Sequence, residues 1–314
     1  MKAVLQYCAS SGFRRLLREH LPEWLEIVVV DEADADAACR ELEDADVLLH
    51  VLTPVTGAVL KAAPKLRLVQ KIGVGTNTID VEVARSLGIA VANMPGTNSQ
   101  AVAEHTLALM LAALRRVGYL DSTCRRGIGW SLPPDTFDSV SELSGRTVGF
   151  VGYGSIPRRL TAALVALGSR VVYYARSAAP DDAAQRLPSL QTLLEQADIV
   201  SLHIPLTEDT RGLLNSRAFG EMKRGAVLIN TARGELVDER ALLDALKSGT
   251  IAAAGLDVFA TEPATADNPL LSRPNVVATP HVAWLTPQTL ERSIGVIVEN
   301  CRRLRDGEPL MNRV

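Results

Sequence analysis

Three residues in the second half of the chain have side chains suited to a substrate that carries both a carboxylate and a carbonyl: Arg233, Glu262 and His281. Histidine titrates near neutral pH and can hand a proton to a carbonyl oxygen or take it back. A carboxylate beside the ring, here Glu262, can hold the imidazole and favour its charged form. The planar fork of Arg233 can grip a carboxylate and polarise a neighbouring carbonyl. Singly, each has an ordinary explanation: a helix-flanking surface charge, a loop acid before Pro263 and a satisfied histidine at a strand end. Jointly, in three stretches that each follow an expected strand, they argue for chemistry, because open α/β sheets place their ligands at strand ends.

A second group of residues suits a dinucleotide. Gly152 and Gly154 lie between the apolar run Thr147 to Val151 and a helical pattern starting near Ser155. Glycine there allows a tight turn and a close approach of backbone to pyrophosphate, which then rests on the helix N-terminus with Ser155 and Ile156. Pro157 stands where a third glycine of this motif would be. Proline is tolerated in a first helical turn, so the helix is expected to survive with altered packing on its strand. After the next strand, where an NAD site would carry Asp or Glu, the residues are Ala175, Arg176 and Ser177. Arg176 and Ser177 can bind a 2′-phosphate that a carboxylate would repel, so NADP is expected in preference to NAD.

These residues need elements to position them. Short β-branched runs alternate with helical patterns from Ala3 to Ala92, and again from Thr147 to Thr279, which predicts two doubly wound α/β units with parallel sheets and a cleft between them. A length of 314 residues agrees with two domains. Between the two series, Thr97 with Gln100 reads as a capping box opening a helix to about Arg116. That helix is apolar or small on nearly every face and is expected to be buried on all sides, between domains or between the subunits of a homodimer. A final helix from about Pro287 to Leu304 is expected to return to the first domain.

The motifs at Gly152, Asn230 to Glu239, Gly255 to Pro263 and Thr279 to Trp284, with Val74-Gly75 and Pro95 to Ser99 before them, closely resemble the D-isomer-specific 2-hydroxyacid dehydrogenase family over nearly the whole chain. The resemblance implies a flavodoxin-like substrate domain over residues 1–98 with 287–314, and a Rossmann cofactor domain over residues 99–286. It implies reduction of a small 2-keto acid, with Arg233, Glu262 and His281 as the catalytic set. It also implies that the amides of Val74 and Gly75 hold the substrate carboxylate, that Asp257 contacts the nicotinamide, and that Pro205, Thr231 and Ala232 line the cofactor. Trp284 resembles a tryptophan of hydroxypyruvate and glycerate dehydrogenases, which favours glyoxylate or hydroxypyruvate; packing between domains is the alternative for that ring. His105 reads as structural, and His203 as a candidate lining residue of the cofactor cleft.

The alternatives are 3-phosphoglycerate or another hydroxy acid as substrate, and a non-catalytic dinucleotide sensor resembling the family's corepressors. With Val314 as its last residue, the chain is expected to lack the further domain that the resemblance gives the longer phosphoglycerate dehydrogenases. Net charge is only −3, which disfavours nucleic acid and anionic membranes as partners. Four scattered cysteines suggest neither a metal site nor a disulfide framework, and with the absence of a signal-peptide pattern they point to the cytoplasm.

Overall fold

The computed structural model describes residues 1–179 and 183–314. The chain divides into two compact units, residues 1–98 with 285–314 and residues 99–284.

The first unit runs β1 (Lys2–Gln6), α1 (Ser11–His20), β2 (Glu26–Val30), α2 (Ala35–Leu42), β3 (Val47–His50), α3 (Gly57–Lys61), β4 (Leu68–Lys71), α4 (Val81–Ser86) and β5 (Ala90–Ala92). All pairings are parallel, in the order β2-β1-β3-β4-β5, a flavodoxin-like sheet. Parallel strands need crossover helices, and short polar side chains start them. Ser10, Asp34 and Asp80 accept from the amides of Phe13, Ala37 and Val83 at 3.2, 2.9 and 3.1 Å.

The C-terminal helix, Pro287–Asp306, belongs to this unit. Its Asn300 is fully buried, donates to Gln70 Oε1 at 2.6 Å and accepts from the Met311 amide at 2.8 Å. Gln70 in turn donates to the carbonyl of Ala92 at 3.2 Å, and Val314 donates its amide to Val91 at 2.9 Å. Polar bonds thus stitch the chain end to β4 and β5.

The second unit runs α5 (Ser99–Leu114), α6 (Val117–Arg125), β6 (Thr147–Val151), α7 (Ser155–Ala166), β7 (Arg170–Tyr174), β8 (Gln185–Arg186), α8 (Leu190–Gln196), β9 (Ile199–Leu202), α9 (Ser216–Glu221), β10 (Ala226–Asn230), α10 (Glu239–Ser248), β11 (Ile251–Leu256) and β12 (Val276–Ala278). Its seven parallel strands are ordered β12-β11-β10-β9-β6-β7-β8, a Rossmann sheet whose strand order reverses between β6 and β9. The two-residue strand β8 was not expected from the sequence, being too short to show a period.

Helix α5 differs from its expectation in two ways. It starts at Ser99, and Thr97 forms no capping box: its hydroxyl donates to the Met94 carbonyl at 3.1 Å, while the Gln100 amide turns to Glu104 at 2.7 Å. In the single chain, Gln100, Glu104, Ala108 and Leu111 form an exposed stripe at helical spacing. Among the described residues, no helix is long and apolar enough to cross a membrane.

Candidate active site

The turn after β6 is shaped for close approach. Gly152 has φ +90°, and a Cβ there would sit 2.4 Å from the carbonyl oxygen of His203, so only glycine fits. Gly154 is the N-cap of α7 without a side-chain cap bond, and a Cβ on it would meet nothing within 4 Å. The N-terminus of this 12-residue helix has no side-chain cap and no crowding at Gly154, which suits it to a pyrophosphate. Ser155 bonds Ser99 through their hydroxyls at 2.9 Å. Pro157 is buried in the first turn of α7 and the helix runs on through it.

Arg176 and Ser177 are exposed beyond β7. Arg186, on β8, donates to the carbonyls of Ala175 and Arg176 at 2.9 and 3.0 Å, so a second guanidinium shares that loop. Thr231 meets Thr106 of α5, hydroxyl to hydroxyl, at 3.0 Å, and the carbonyl of Pro205 accepts from Thr210 at 2.8 Å. His203 bonds Ser201 at 2.9 Å and packs edge-on to Phe150, and burial in these surroundings lowers its pKa.

Arg233, Glu262 and His281 all belong to the second unit, each on a loop after β10, β11 or β12. The Asn230 side chain accepts from the Ala232 amide at 3.0 Å and donates to the Arg233 carbonyl at 2.8 Å, bending the chain as it leaves β10. Gly234 lets this loop lie against the next one: a Cβ there would come within 1.9 Å of the Phe259 carbonyl carbon. Arg233 donates to the Ala232 carbonyl at 2.6 Å. Burial lowers its pKa, Glu262 and Glu235 act against that shift, and the guanidinium remains a cation.

Glu262 accepts from the Phe259 amide at 3.0 Å on Oε1 and lies 2.6 Å from His281 Nδ1 through Oε2. Burial alone would raise its carboxyl, but the His281 bond and charge, the Phe259 amide and the Arg233 charge together hold it below its usual range. An ionised carboxylate only accepts, so Nδ1 is the donor and Nε2 is left for a substrate. His281 itself has φ +53°, a strained conformation for a residue with a side chain.

Asp257 is 1% exposed and organises the third loop. Its carboxylate accepts from the Thr279 hydroxyl at 2.6 Å and from the amides of Val282 and Ala283 at 3.0 and 2.9 Å, while its carbonyl accepts from the His281 amide at 2.8 Å. Trp284 donates its indole N–H to the His281 carbonyl at 3.1 Å. Val74 and Gly75 lie in the first unit, on a loop where the Val74 carbonyl accepts from Asn93 at 3.0 Å. Asn230, Gly234 and Thr279 were not singled out from the sequence. An Asn closing a strand is a turn signal, whereas nothing local marks which backbone Gly234 must pass.

A parallel-sheet nucleotide-binding unit with a histidine, a carboxylate and an arginine at its strand ends is the arrangement of a dinucleotide-dependent oxidoreductase. Residues 107–283, more than half of the chain, match the model described as D-isomer specific 2-hydroxyacid dehydrogenase, NAD binding domain. The chain belongs to that family. It is 41% identical over 292 residues to the D-3-phosphoglycerate dehydrogenase of Mycobacterium leprae, covering 92% of this chain and 54% of that one, so it spans about half of that relative's length. It is 40% identical to the glyoxylate reductase of Korarchaeum cryptofilum, covering 86% of this chain and 82% of that one. The crystal structure of TT0316 protein from Thermus thermophilus superposes with a TM-score of 0.89 at 37% identity, covering both chains completely.

Proposed function

We propose that this protein reduces a small 2-keto acid, glyoxylate or hydroxypyruvate in first place, to the D-2-hydroxy acid, with NADPH preferred over NADH. The observation that carries the reading is the 2.6 Å pair of His281 and Glu262 on adjacent strand-end loops with a cationic Arg233, in the unit whose β6–α7 turn suits a dinucleotide. A dinucleotide held at the β6–α7 turn would supply the hydride. Glu262 keeps Nδ1 protonated and stabilises the imidazolium, so that Nε2 gives its proton to the carbonyl oxygen as that oxygen gains charge. Arg233 binds the substrate carboxylate and polarises the carbonyl.

In this reading Val74 and Gly75 offer amides to the carboxylate, and Trp284 limits the size of the substrate. Gly152, Gly154, Ser155 and Ile156 take the pyrophosphate. Pro205, Thr231, Ala232 and Asp257 serve the rest of the cofactor. Arg176 and Ser177 favour a 2′-phosphate, a preference supported by Arg186 beside them. The identity to the mycobacterial protein favours a second substrate, the keto acid of 3-phosphoglycerate.

We also propose a homodimer in the cytoplasm. The segment from α5 onward exposes Leu111, Val117, Ile128, Phe137 and Trp130, the last 98% exposed, an apolar load suited to a second copy. The four cysteines are unpaired thiols, at home in a reducing compartment. Light scattering of the purified chain tests the dimer, and a monomer would refute it.

Initial rates with glyoxylate, hydroxypyruvate and phosphohydroxypyruvate, each with NADPH and NADH, test the activity. Faster reduction of the two smaller acids with NADPH is expected. A preference for NADH overturns the role given to Arg176, and no turnover with any acid overturns the dehydrogenase reading.

A further inference from the structure

His105 sits on α5, a helix that the proposed reaction does not use, yet its ring reaches the loop that carries His281. Its Nε2 lies 2.9 Å from Thr279 Oγ1 and 3.6 Å from Asp257 Oδ1. The Thr279 hydroxyl has one proton, and at 2.6 Å that proton belongs to Asp257, whose carboxylate can only accept. The ring nitrogen must therefore donate to Thr279, which makes His105 the start of a directed chain: His105 to Thr279 to Asp257. At the end of that chain, Asp257 takes the amides of Val282 and Ala283 on its carboxylate and that of His281 on its carbonyl.

We propose that His105 is a positioning residue for the proton donor, holding His281 in its working orientation through Thr279 and Asp257; the proposal rests on the dehydrogenase reading above. His281 has a positive φ, a strained conformation that persists only where the surroundings enforce it. Asp257 supplies that enforcement from a buried carboxylate, and a buried carboxylate needs donors around it to stay in place. His105 brings such a donor from a rigid base. Helix α5 packs on β10, β11 and β12, and Leu109 lies so close to Gly255 that a Cβ added there would come within 3.0 Å of the leucine Cβ. An apolar residue at 105 would fill the same space and leave the Thr279 oxygen without its donor.

The test uses His105→Leu, which removes the donor, His105→Gln, which keeps an N–H, and the pair Thr279→Val and Thr279→Ser. With the enzyme's best keto acid, His105→Leu is expected to lower kcat roughly 10- to 100-fold, and His105→Gln to recover most of the loss. Because His105 acts through Thr279, the double variant with Thr279→Val should be no slower than Thr279→Val alone; additive losses would overturn the proposal. The imidazole NMR signals of His281 in the cofactor-free protein give a readout that needs no turnover. They should move in His105→Leu and return in His105→Gln. If they stay in place in His105→Leu while its melting temperature falls, His105 is merely structural and the dehydrogenase reading stands. If His105→Leu does not fold, Thr279→Val against Thr279→Ser decides by the same signals, a shift in the first restored in the second being required.

Discussion

The two units use buried polar groups for opposite ends. In the first, Asn300, Gln70 and the main chain at Met311 and Ala92 saturate one another in the interior, and the outcome is a chain end fastened to a sheet. In the second, Asn230 and Asp257 spend their side chains on the loops beyond β10 and β12, and the outcome is that the loops carrying Arg233 and His281 are fixed. The same bond type therefore serves cohesion where both partners are interior. It serves chemistry where one partner is a loop that carries a reactive side chain.

That contrast can be broken by experiment. Its strongest form is His281→Ala, expected to slow the chemical step roughly 100-fold or more while leaving cofactor affinity and melting temperature nearly unchanged; a large loss of stability would show that the strand-end loops also hold the fold. Next, Gly234→Val forces a side chain into the Phe259 carbonyl and should separate the Arg233 and Glu262 loops, lowering kcat/KM about as far as loss of Arg233 itself; a near-normal kcat/KM would remove the close approach from the account. In the first unit, Asn300→Ala strands Gln70 and the Met311 amide and should cost about 2 to 3 kcal/mol in denaturant unfolding, with kcat/KM of the folded protein little changed.

The smallest effect expected concerns His50, 3% exposed at the end of β3. Burial, aided by the Lys71 charge, lowers its pKa from 6.5 to about 3. The unfolded chain takes up this proton near 6.5 and the folded chain only near 3, so the unfolded state binds more protons between those values. Stability should fall as pH drops through that window. His50→Gln should lessen the fall between pH 7 and 5, and an unchanged pH dependence would mean that other groups dominate it.

Much of this was legible beforehand because the signals are local. The strand Thr147–Val151 matches its apolar run to the residue. The Gly152 turn was readable because glycine before a helix has a steric meaning of its own. The start of α5 misled because Thr97 and Gln100 had partners outside the pair the spacing suggested, Met94 and Glu104. His105 looked like an inert histidine because its partner Thr279 is 174 residues away.

The sequence by itself determined the alternation of strands and helices, the glycine turn, and the residue types at the strand ends, since periodicity, steric freedom and side-chain chemistry act within a few residues. Only the tertiary structure decided that Glu262 takes His281 at 2.6 Å, that Gly234 passes the Phe259 carbonyl, and that His105 reaches Thr279. Strand order sets which loops become neighbours, and in a parallel sheet neighbours in space need not be neighbours in the chain.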